Sequence, residues 1–311
     1  MATSGLRFHE VPIDTGTVRR LIASQYPQWA ELPVEPVANS GWDNATFRLG
    51  DALSVRLPRL PRWIGQVERE QRWLPFLAPR LPLPVPIPVA QGEPGEGYPF
   101  PWSVYRWIDG ETADPACITD LHQTATELAG FFMALQAIDS AGGPAPERSN
   151  GFRGTSFSDD RDSPIVESRV RAKIAALEGL ADTDALSAVY DSAAAAKEWD
   201  GPPVWIHGEP SPGNMLASAG RVTAVIDFGT VAVGDPACDL IFAWTFLDAG
   251  SRATFRAELS VDDAMWARGR GWGLVSVLPS PGDLTDPERG GRMWQRVEDL
   301  VADYRQGVNT A

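Results

Sequence analysis

The spacing of the apolar residues changes near Asp109-Gly110, and this change constrains the fold more than any other feature of the chain. Before it, short β-branched or alternating runs are separated by turn residues, which predicts hairpin-linked antiparallel strands followed by one helix. The predicted strands cover residues 34–37, 46–49, 54–57 and 102–108, and the helix covers 63–77. Residues 82–89 alternate proline with apolar residues and predict an extended edge strand or a stiff connector.

After Asp109-Gly110 the apolar residues recur at helical spacing. The predicted helices cover residues 119–138, 165–180, 184–199, 240–247, 264–277 and 293–304. Between Val204 and Phe228 this period gives way to two short apolar runs on either side of a Pro- and Gly-rich loop. Such a loop beside buried strands is where we expect chemistry.

These patterns predict an α+β fold in two lobes, which the 311 residues are enough to build. A small antiparallel sheet with one helix forms the first lobe, over residues 1–108. A larger, mainly helical lobe covers 109–311, and the hinge lies between about residues 103 and 110.

Composition excludes several classes of protein. With 27 basic and 41 acidic residues, the net charge of −14 opposes binding to nucleic acid and to anionic membranes and favours cationic ligands. The longest apolar run, 240–247, is too short to span a membrane, and no secretory signal opens the chain, so we expect a cytoplasmic protein. Cys117 and Cys238 lie far apart in unrelated contexts and are expected to be small buried thiols.

The chemistry-bearing residues are concentrated in three short segments: His207 to Asn214, Ile226 to Gly229, and Gly234 to Asp239. Divalent metals prefer hard oxygen ligands, and a reacting hydroxyl needs a carboxylate to accept its proton. Asn214 and Asp227 can supply the metal oxygens, and Glu209 can supply the base. The combination indicates phosphoryl transfer.

These segments resemble the kinase-like aminoglycoside phosphotransferase family. Its loop reads His-Gly-Asp-x-x-x-x-Asn, its metal-binding segment reads Ile-Asp-Phe/Trp-Gly, and a Gly-Asp-Pro-x-x-Asp stretch follows. The resemblance extends to Gly41-Trp42-Asp43-Asn44 and to residues 55–59, and covers about residues 30 to 305. It implies a protein-kinase-like bilobal fold, with a nucleotide-binding first lobe and a second lobe that carries the catalytic residues and the acceptor.

In the first lobe, the resemblance implies that the turn containing Ser40, Gly41 and Asn44 covers the nucleotide phosphates. Arg56 stands where the family usually has lysine, and no lysine precedes Lys173 that could replace it. Arginine can still bind two phosphate oxygens, and Glu70 is expected to pair with it. An ordinary hairpin turn, a solvated arginine and a surface acid are the open alternatives.

The strand before Asp109 resembles the family's hinge. Its backbone around Tyr105, Trp107 and Ile108 is expected to bind the adenine, and a purely structural crossover is the alternative. In the second lobe, His207 is interpreted as a structural residue, and Asp235 and Asp239 are expected to cap the helix that follows them.

The function predicted from this resemblance is transfer of the γ-phosphate of ATP or GTP, with Mg²⁺, to a hydroxyl of a small molecule. The acidic balance favours a cationic acceptor, such as an aminoglycoside-like antibiotic or a metabolite, and Asp248, Asp262 and Asp263 are candidates to bind it or else plain helix charges. Antibiotic resistance is one consequence to test. The protein is expected to be a monomer or homodimer.

The alternative is a nucleotide-binding pseudokinase, because Glu209 replaces the family's catalytic aspartate. A protein kinase is disfavoured because only a few residues separate Gly229 from Gly234, too few for a long activation loop.

Overall fold

A computed structural model describes residues 12–38, 41, 43–157, 163–279 and 287–310. The chain divides into two compact units. The first comprises Met1–Pro79, Pro84–Asp109 and Val225–Thr230, and the second comprises Arg80–Leu83, Gly110–Ala224 and Val231–Ala311. The assignment of nucleotide binding and acceptor binding to the two predicted lobes stays a prediction.

The first unit is built on an antiparallel sheet of five strands. They are β1 (Val34–Pro36), β2 (Asn44–Leu49), β3 (Leu53–Pro58), β4 (Pro88–Gly92) and β5 (Trp102–Arg106). Their order is β1-β2-β3-β5-β4, so β4, which begins with a proline, lies at an edge. The predicted extended strand over residues 82–89 overlaps β4 only at residues 88 and 89, and the prolines of residues 82–86 precede β4.

The two faces of this sheet differ because side chains alternate along a strand. One face carries Phe47, Val55 and Val104 and packs against α1 (Thr15–Gln25) to form a hydrophobic core. The opposite face is polar. On it, Thr46 of β2 pairs in register with Arg56 of β3, which pairs in turn with Ser103 of β5.

The predicted helix after the strands is present as α2 (Ile64–Leu77). The first unit also contains α1, which the apolar spacing does not predict. Asp14 caps α1 by accepting a hydrogen bond from the Thr17 backbone, and three fully buried residues hold the helix on the sheet: Val18, Leu21 and Ile22.

The second unit is mainly helical. Its helices are α3 (Leu121–Gln136), α4 (Ser163–Ala175), α5 (Thr183–Ala195), α6 (Phe242–Thr245), α7 (Ala249–Leu259), α8 (Asp263–Val277) and α9 (Pro287–Thr310). Its short strands are β6 (Glu111–Thr112), β7 (Val204–Ile206), β8 (Met215–Ser218), β9 (Arg221–Val225) and β10 (Ala232–Gly234). They form two small sheets, β6-β8-β9 and β10-β7. The predicted class, α+β with a small antiparallel sheet and a larger helical part, is confirmed.

Three local predictions differ from the structure. The predicted helix over 240–247 is a 3₁₀ segment, Pro236–Ile241, followed by the four-residue α6. The helix α7 was not predicted. Cys238 is buried as expected, whereas Cys117 is exposed because it ends a short 3₁₀ turn on a surface loop.

None of the helices in the described part of the chain combines the length and the apolar character needed to cross a membrane.

Candidate functional site

Arg56 is held between two carboxylates in the first unit. Its Nη1 lies 3.1 Å from Oε1 of Glu70, and its Nη2 lies 3.0 Å from Oδ1 of Asp227. β3 places Arg56 on the polar face of the sheet, and α2 supplies Glu70 from a buried position. A guanidinium held from both sides in this way is fixed in orientation, which is a precondition for binding phosphate oxygens in a defined geometry.

Tyr105 completes this cluster. Its hydroxyl donates a hydrogen bond to Glu70, and the Arg56 guanidinium lies 5.8 Å from the centroid of its ring. Burial, together with the neighbouring Glu70 carboxylate, raises the pKa of Tyr105 well above its usual value, so the phenol stays a donor. Burial alone would lower the pKa of Arg56, but Glu70 and Asp227 raise it well above its usual value. The cluster therefore holds a permanent cation.

The segment that carries Asp227 has an unusual backbone. Asp227 has a φ of 66°, in the left-handed region that residues other than glycine rarely adopt. Such conformations persist only where surrounding contacts hold them, and they concentrate at functional sites. Here the contacts include the ion pair with Arg56 and a hydrogen bond of 2.7 Å from Nη1 of Arg69 to the carbonyl oxygen of Gly229.

The predicted phosphate-covering turn is described in part. Ser40 lies outside the described residues. A Cβ on Gly41 would lie 2.9 Å from Oδ1 of Asp43. Burial, and then the Asp227 charge, raise the pKa of Asp43. The side chain of Asn44 donates to Oε1 of Gln66 on α2 at 3.3 Å.

The predicted hinge residues have several partners of their own. The backbone N–H of Trp107 donates to the Ala52 carbonyl at 2.8 Å, and its indole N–H donates to Asp109 at 2.8 Å. The guanidinium of Arg48 lies 4.8 Å from the centroid of the Trp107 ring. Tyr105 contributes its side chain to the Arg56 cluster, and Ile108 is half-buried. Their predicted role toward a nucleotide base stays a prediction.

In the second unit, a buried carboxylate holds the loop that contains Glu209. Asp239 accepts hydrogen bonds from the backbone N–H of His207 at 2.8 Å and of Gly208 at 2.7 Å. The Glu209 N–H in turn donates to Nδ1 of the buried His207 at 3.2 Å. Because Nδ1 is the acceptor, the ring proton is on Nε2. His207 is thus a structural residue of the loop, as the sequence suggested.

Asn214 closes the other end of this loop. Its Nδ2 donates to the Glu209 carbonyl oxygen at 2.9 Å, and a carbonyl can only accept, so the amide orientation is determined. Oδ1 of Asn214 is therefore the atom available to a cation. The structure brings Asn214 and Glu209 together in the second unit, and Arg56, Glu70, Tyr105 and Asp227 together in the first.

The two other acids of this region have different roles. Asp235 caps the following 3₁₀ helix through the Ala237 N–H and forms a buried ion pair with Arg268 at 2.9 Å. The predicted capping role is wrong for Asp239, whose oxygens are bonded to the His207–Gly208 backbone instead. Burial raises the pKa of Asp239 to about 7. Sequence reasoning missed this contact because it joins residues 31 and 32 positions apart.

The acids proposed for acceptor binding have partners within the second unit. Asp248 caps α7 by accepting from Ser251 N–H at 2.8 Å, and Asp262 caps α8 by accepting from Met265 N–H at 2.7 Å. Asp263 pairs with Arg256. Each of the three thus has a structural partner, and their role in binding an acceptor stays a prediction.

The donor atoms suit a hard divalent cation. Asp227 offers a carboxylate and Asn214 an amide oxygen, and Mg²⁺ takes few protein ligands because water and substrate phosphates complete its shell. Among the described residues, no three histidine, cysteine or acidic side chains form a group able to hold a metal by themselves. Asp227 and Asn214 each offer an oxygen of the type that Mg²⁺ accepts, and their predicted role as metal ligands stays a prediction.

Solved structures with the same fold include aminoglycoside and macrolide phosphotransferases. A GDP and kanamycin complex of an aminoglycoside phosphotransferase of type IIIa is 19% identical with a TM-score of 0.65, covering 93% of this chain and 98% of the other. A GDP complex of wild-type aminoglycoside 2'-phosphotransferase-IIIa is 18% identical with a TM-score of 0.64, covering 94% and 100%. The macrolide 2'-phosphotransferase MphH from Brachybacterium faecium is 21% identical with a TM-score of 0.55, covering 93% and 98%.

These likenesses confirm the kinase-like fold expected from the sequence. A search among curated proteins finds no match. The model of the phosphotransferase enzyme family matches residues 34–272, a range that includes β1 to β5, the Arg56 cluster and the loop from His207 to Asn214. Because this match covers well over half of the chain, the protein belongs to the phosphotransferase enzyme family.

Proposed function

We propose that this protein transfers the γ-phosphoryl group of ATP or GTP, in the presence of Mg²⁺, to a hydroxyl group of a small molecule. Family membership and the kinase-like fold support the reaction class. The observation that supports it most directly is the Arg56 guanidinium, held at 3.1 Å from Glu70 and 3.0 Å from Asp227. Mg²⁺ would neutralise charge on the phosphates, and Asp227 and Asn214 would hold it.

The residues would then have separate roles. Arg56 would bind phosphate oxygens of the nucleotide, oriented by Glu70. Glu209 would accept the proton of the acceptor hydroxyl as that oxygen bonds to the γ-phosphorus. The bond from the γ-phosphorus to the β–γ bridging oxygen would break, and the nucleoside diphosphate would leave.

The acceptor is proposed by chemical class only. Solved structures of similar fold include complexes with kanamycin, gentamicin or streptomycin, all polycationic, and others are macrolide phosphotransferases. The net charge of −14 favours a cation by long-range attraction. A small cationic alcohol, such as an aminoglycoside-like antibiotic or metabolite, is therefore the first class to test, with macrolides as the second.

Two substitutions separate the proposed roles. Asp227→Ala should abolish Mg²⁺-dependent nucleotide binding and transfer together, whereas Glu209→Ala should leave binding intact and remove transfer alone. Isothermal titration with Mg²⁺ and each nucleotide, paired with a transfer assay, measures both. Equal transfer by Glu209→Ala and the wild type would refute the role of Glu209 as base.

A nucleotide-binding pseudokinase is the second candidate, favoured by one observation. Glu209 is longer than the family's aspartate by one methylene, about 1.5 Å, and a displacement of about 1 Å in a catalytic site can cost about a hundredfold in rate. Nucleotide binding without transfer by the wild type, and transfer gained by Glu209→Asp, would establish this alternative.

A further inference from the structure

One face of α2 carries polar side chains that are nevertheless buried. Gln66, Arg69 and Glu70 are 6%, 7% and 3% exposed, and their spacing of three and four residues places them on the same face. Burying a polar side chain costs free energy unless it is hydrogen-bonded. The hydrogen-bond partners of these residues therefore indicate the role of this face. Arg56 is the partner of Glu70, whereas Gln66 and Arg69 have other partners.

Gln66 contacts the predicted phosphate-covering turn. Its Oε1 accepts a hydrogen bond from Nδ2 of Asn44 at 3.3 Å, and both side chains are buried. Asn44 is the first residue of β2, directly after Asp43. The contact ties the C-terminal end of the turn to the helix.

Gln66 also contacts the segment that follows Asp227. A Cβ at Gly229 would lie 2.8 Å from both Cγ and Cδ of Gln66, so the glycine is what allows the glutamine to pack there. One turn further along α2, Arg69 donates to the Gly229 carbonyl oxygen at 2.7 Å. Two residues of α2 therefore hold the backbone two residues after the left-handed Asp227.

We propose that Gln66 is a positioning residue that holds the start of β2, which follows the predicted phosphate-covering turn, and the Asp227 segment in one arrangement, through Asn44 and Gly229. The inference rests on the proposed function, since it assigns Gln66 a role in binding the nucleotide phosphates. Gln66 itself need not touch the nucleotide. Its loss would let the start of β2 and the Asp227 segment move independently, and the phosphates would then lose a prearranged site.

The test compares Gln66→Met with Gln71→Met. Methionine has a similar volume and no amide, so it removes the bond to Asn44 while filling the space. Gln71 is on the same helix and donates to the Ala90 carbonyl oxygen and to Oγ of Ser103, both at 2.9 Å. The control thus removes half-buried side-chain amide hydrogen bonds from the same helix, away from Asn44 and from Gly229.

We expect Gln66→Met to raise the Kd of the Mg²⁺ complex of ATP or GTP about tenfold, equivalent to about 1.4 kcal/mol. The Kd of the unphosphorylated nucleoside, adenosine or guanosine, should stay unchanged, because only the phosphate end is disturbed. Gln71→Met should lower the melting temperature about as much as Gln66→Met does, without changing either Kd. Gln66→Ala provides a second variant if the methionine is not accommodated.

A double-mutant cycle with Asn44→Ala tests the route of the effect. If Gln66 acts through Asn44, the double variant should bind the nucleotide about as weakly as the weaker single variant, and the effects should not add. If the wild type binds ATP or GTP and the Kd is the same for Gln66→Met and Gln71→Met, the inference is overturned and the proposed function is left intact. Absence of nucleotide binding by the wild type would overturn both.

Discussion

At the scale of single residues, the loop that carries Glu209 depends on a carboxylate far along the chain. Asp239 accepts the His207 and Gly208 N–H groups, and His207 accepts the Glu209 N–H. Every backbone N–H from His207 to Glu209 is thus bonded to a buried side chain. The proposed base is held by groups that take no direct part in the proposed chemistry.

Asp239→Asn tests this arrangement. An amide offers one acceptor and one donor group, so one of the two backbone N–H groups would meet another donor. We expect transfer to fall at least tenfold, the loss that about 1.4 kcal/mol brings, while the Kd for nucleotide changes little. Unchanged transfer by a folded Asp239→Asn variant would show that Glu209 does not need this support.

The same variant should also change how the melting temperature depends on pH. Burial raises the pKa of Asp239 from 3.8 to about 7, so between these values the folded protein binds a proton that the unfolded chain does not. The contribution of this proton to stability is fully present below about pH 4 and is lost as the pH rises to about 7. We expect the melting temperature of the wild type, relative to that of Asp239→Asn, to fall between pH 5 and pH 8. A constant difference would contradict the raised pKa.

At the scale of secondary structure, a buried ion pair ties α8 to the loop that precedes the 3₁₀ segment Pro236–Ile241. The Nε of Arg268 lies 2.9 Å from Oδ2 of Asp235, and both side chains are at most 4% exposed. Removing one partner of a buried pair leaves an uncompensated charge, so Arg268→Ala should lower the free energy of unfolding by about 3 to 5 kcal/mol.

The control for this prediction is Arg171→Ala. Arg171 pairs with Glu167 and Asp191, and its side chain is 44% exposed. Exposed pairs contribute about 0 to 1 kcal/mol because solvent screens them. Urea unfolding measures both variants, and equal losses would refute the assignment of stability to the buried pair.

Substitutions at Asp262, the N-cap of α8, distinguish a role in helix stability from a role in acceptor binding. Asp262 accepts from Met265 N–H at 2.7 Å, and asparagine caps helices about as well as aspartate. Asp262→Asn should therefore change neither stability nor the KM of a cationic acceptor, whereas Asp262→Ala should cost about 1 kcal/mol. A raised acceptor KM in Asp262→Asn would instead make Asp262 an acceptor ligand.

How much of each element could be predicted depends on which side chains it buries. α2 was predicted because its apolar residues recur at helical spacing. α7 was missed because its buried residues include Ser251 and Arg252 beside Phe255, so polar residues occupy its inner face. α1 buries only three apolar residues, and the Asp14 cap before it was the available signal.

The residues of the candidate site could be proposed from the sequence because their chemistry restricts the residue type, whereas the long-range hydrogen bonds around them could not. The sequence motifs pointed to Arg56, Glu70, Asp227, Glu209 and Asn214. Two supporting contacts, from Asp239 to the His207 loop and from Gln66 to Asn44, join residues distant in sequence through buried amides and carboxylates. Such pairs leave no local sequence pattern, so they can be identified only from the folded structure.

At the scale of the whole molecule, family and fold assign a reaction class, and one assay tests it. Labelled γ-phosphate is supplied as ATP or GTP with Mg²⁺, and transfer is followed to a panel of aminoglycosides, macrolides and simple cationic alcohols. We predict acceptor-dependent transfer by the wild type that falls at least a hundredfold in Glu209→Gln, the contribution expected of a general base, with nucleotide binding retained. Transfer that persists unchanged in Glu209→Gln, or a wild type that binds neither nucleotide, would contradict the account.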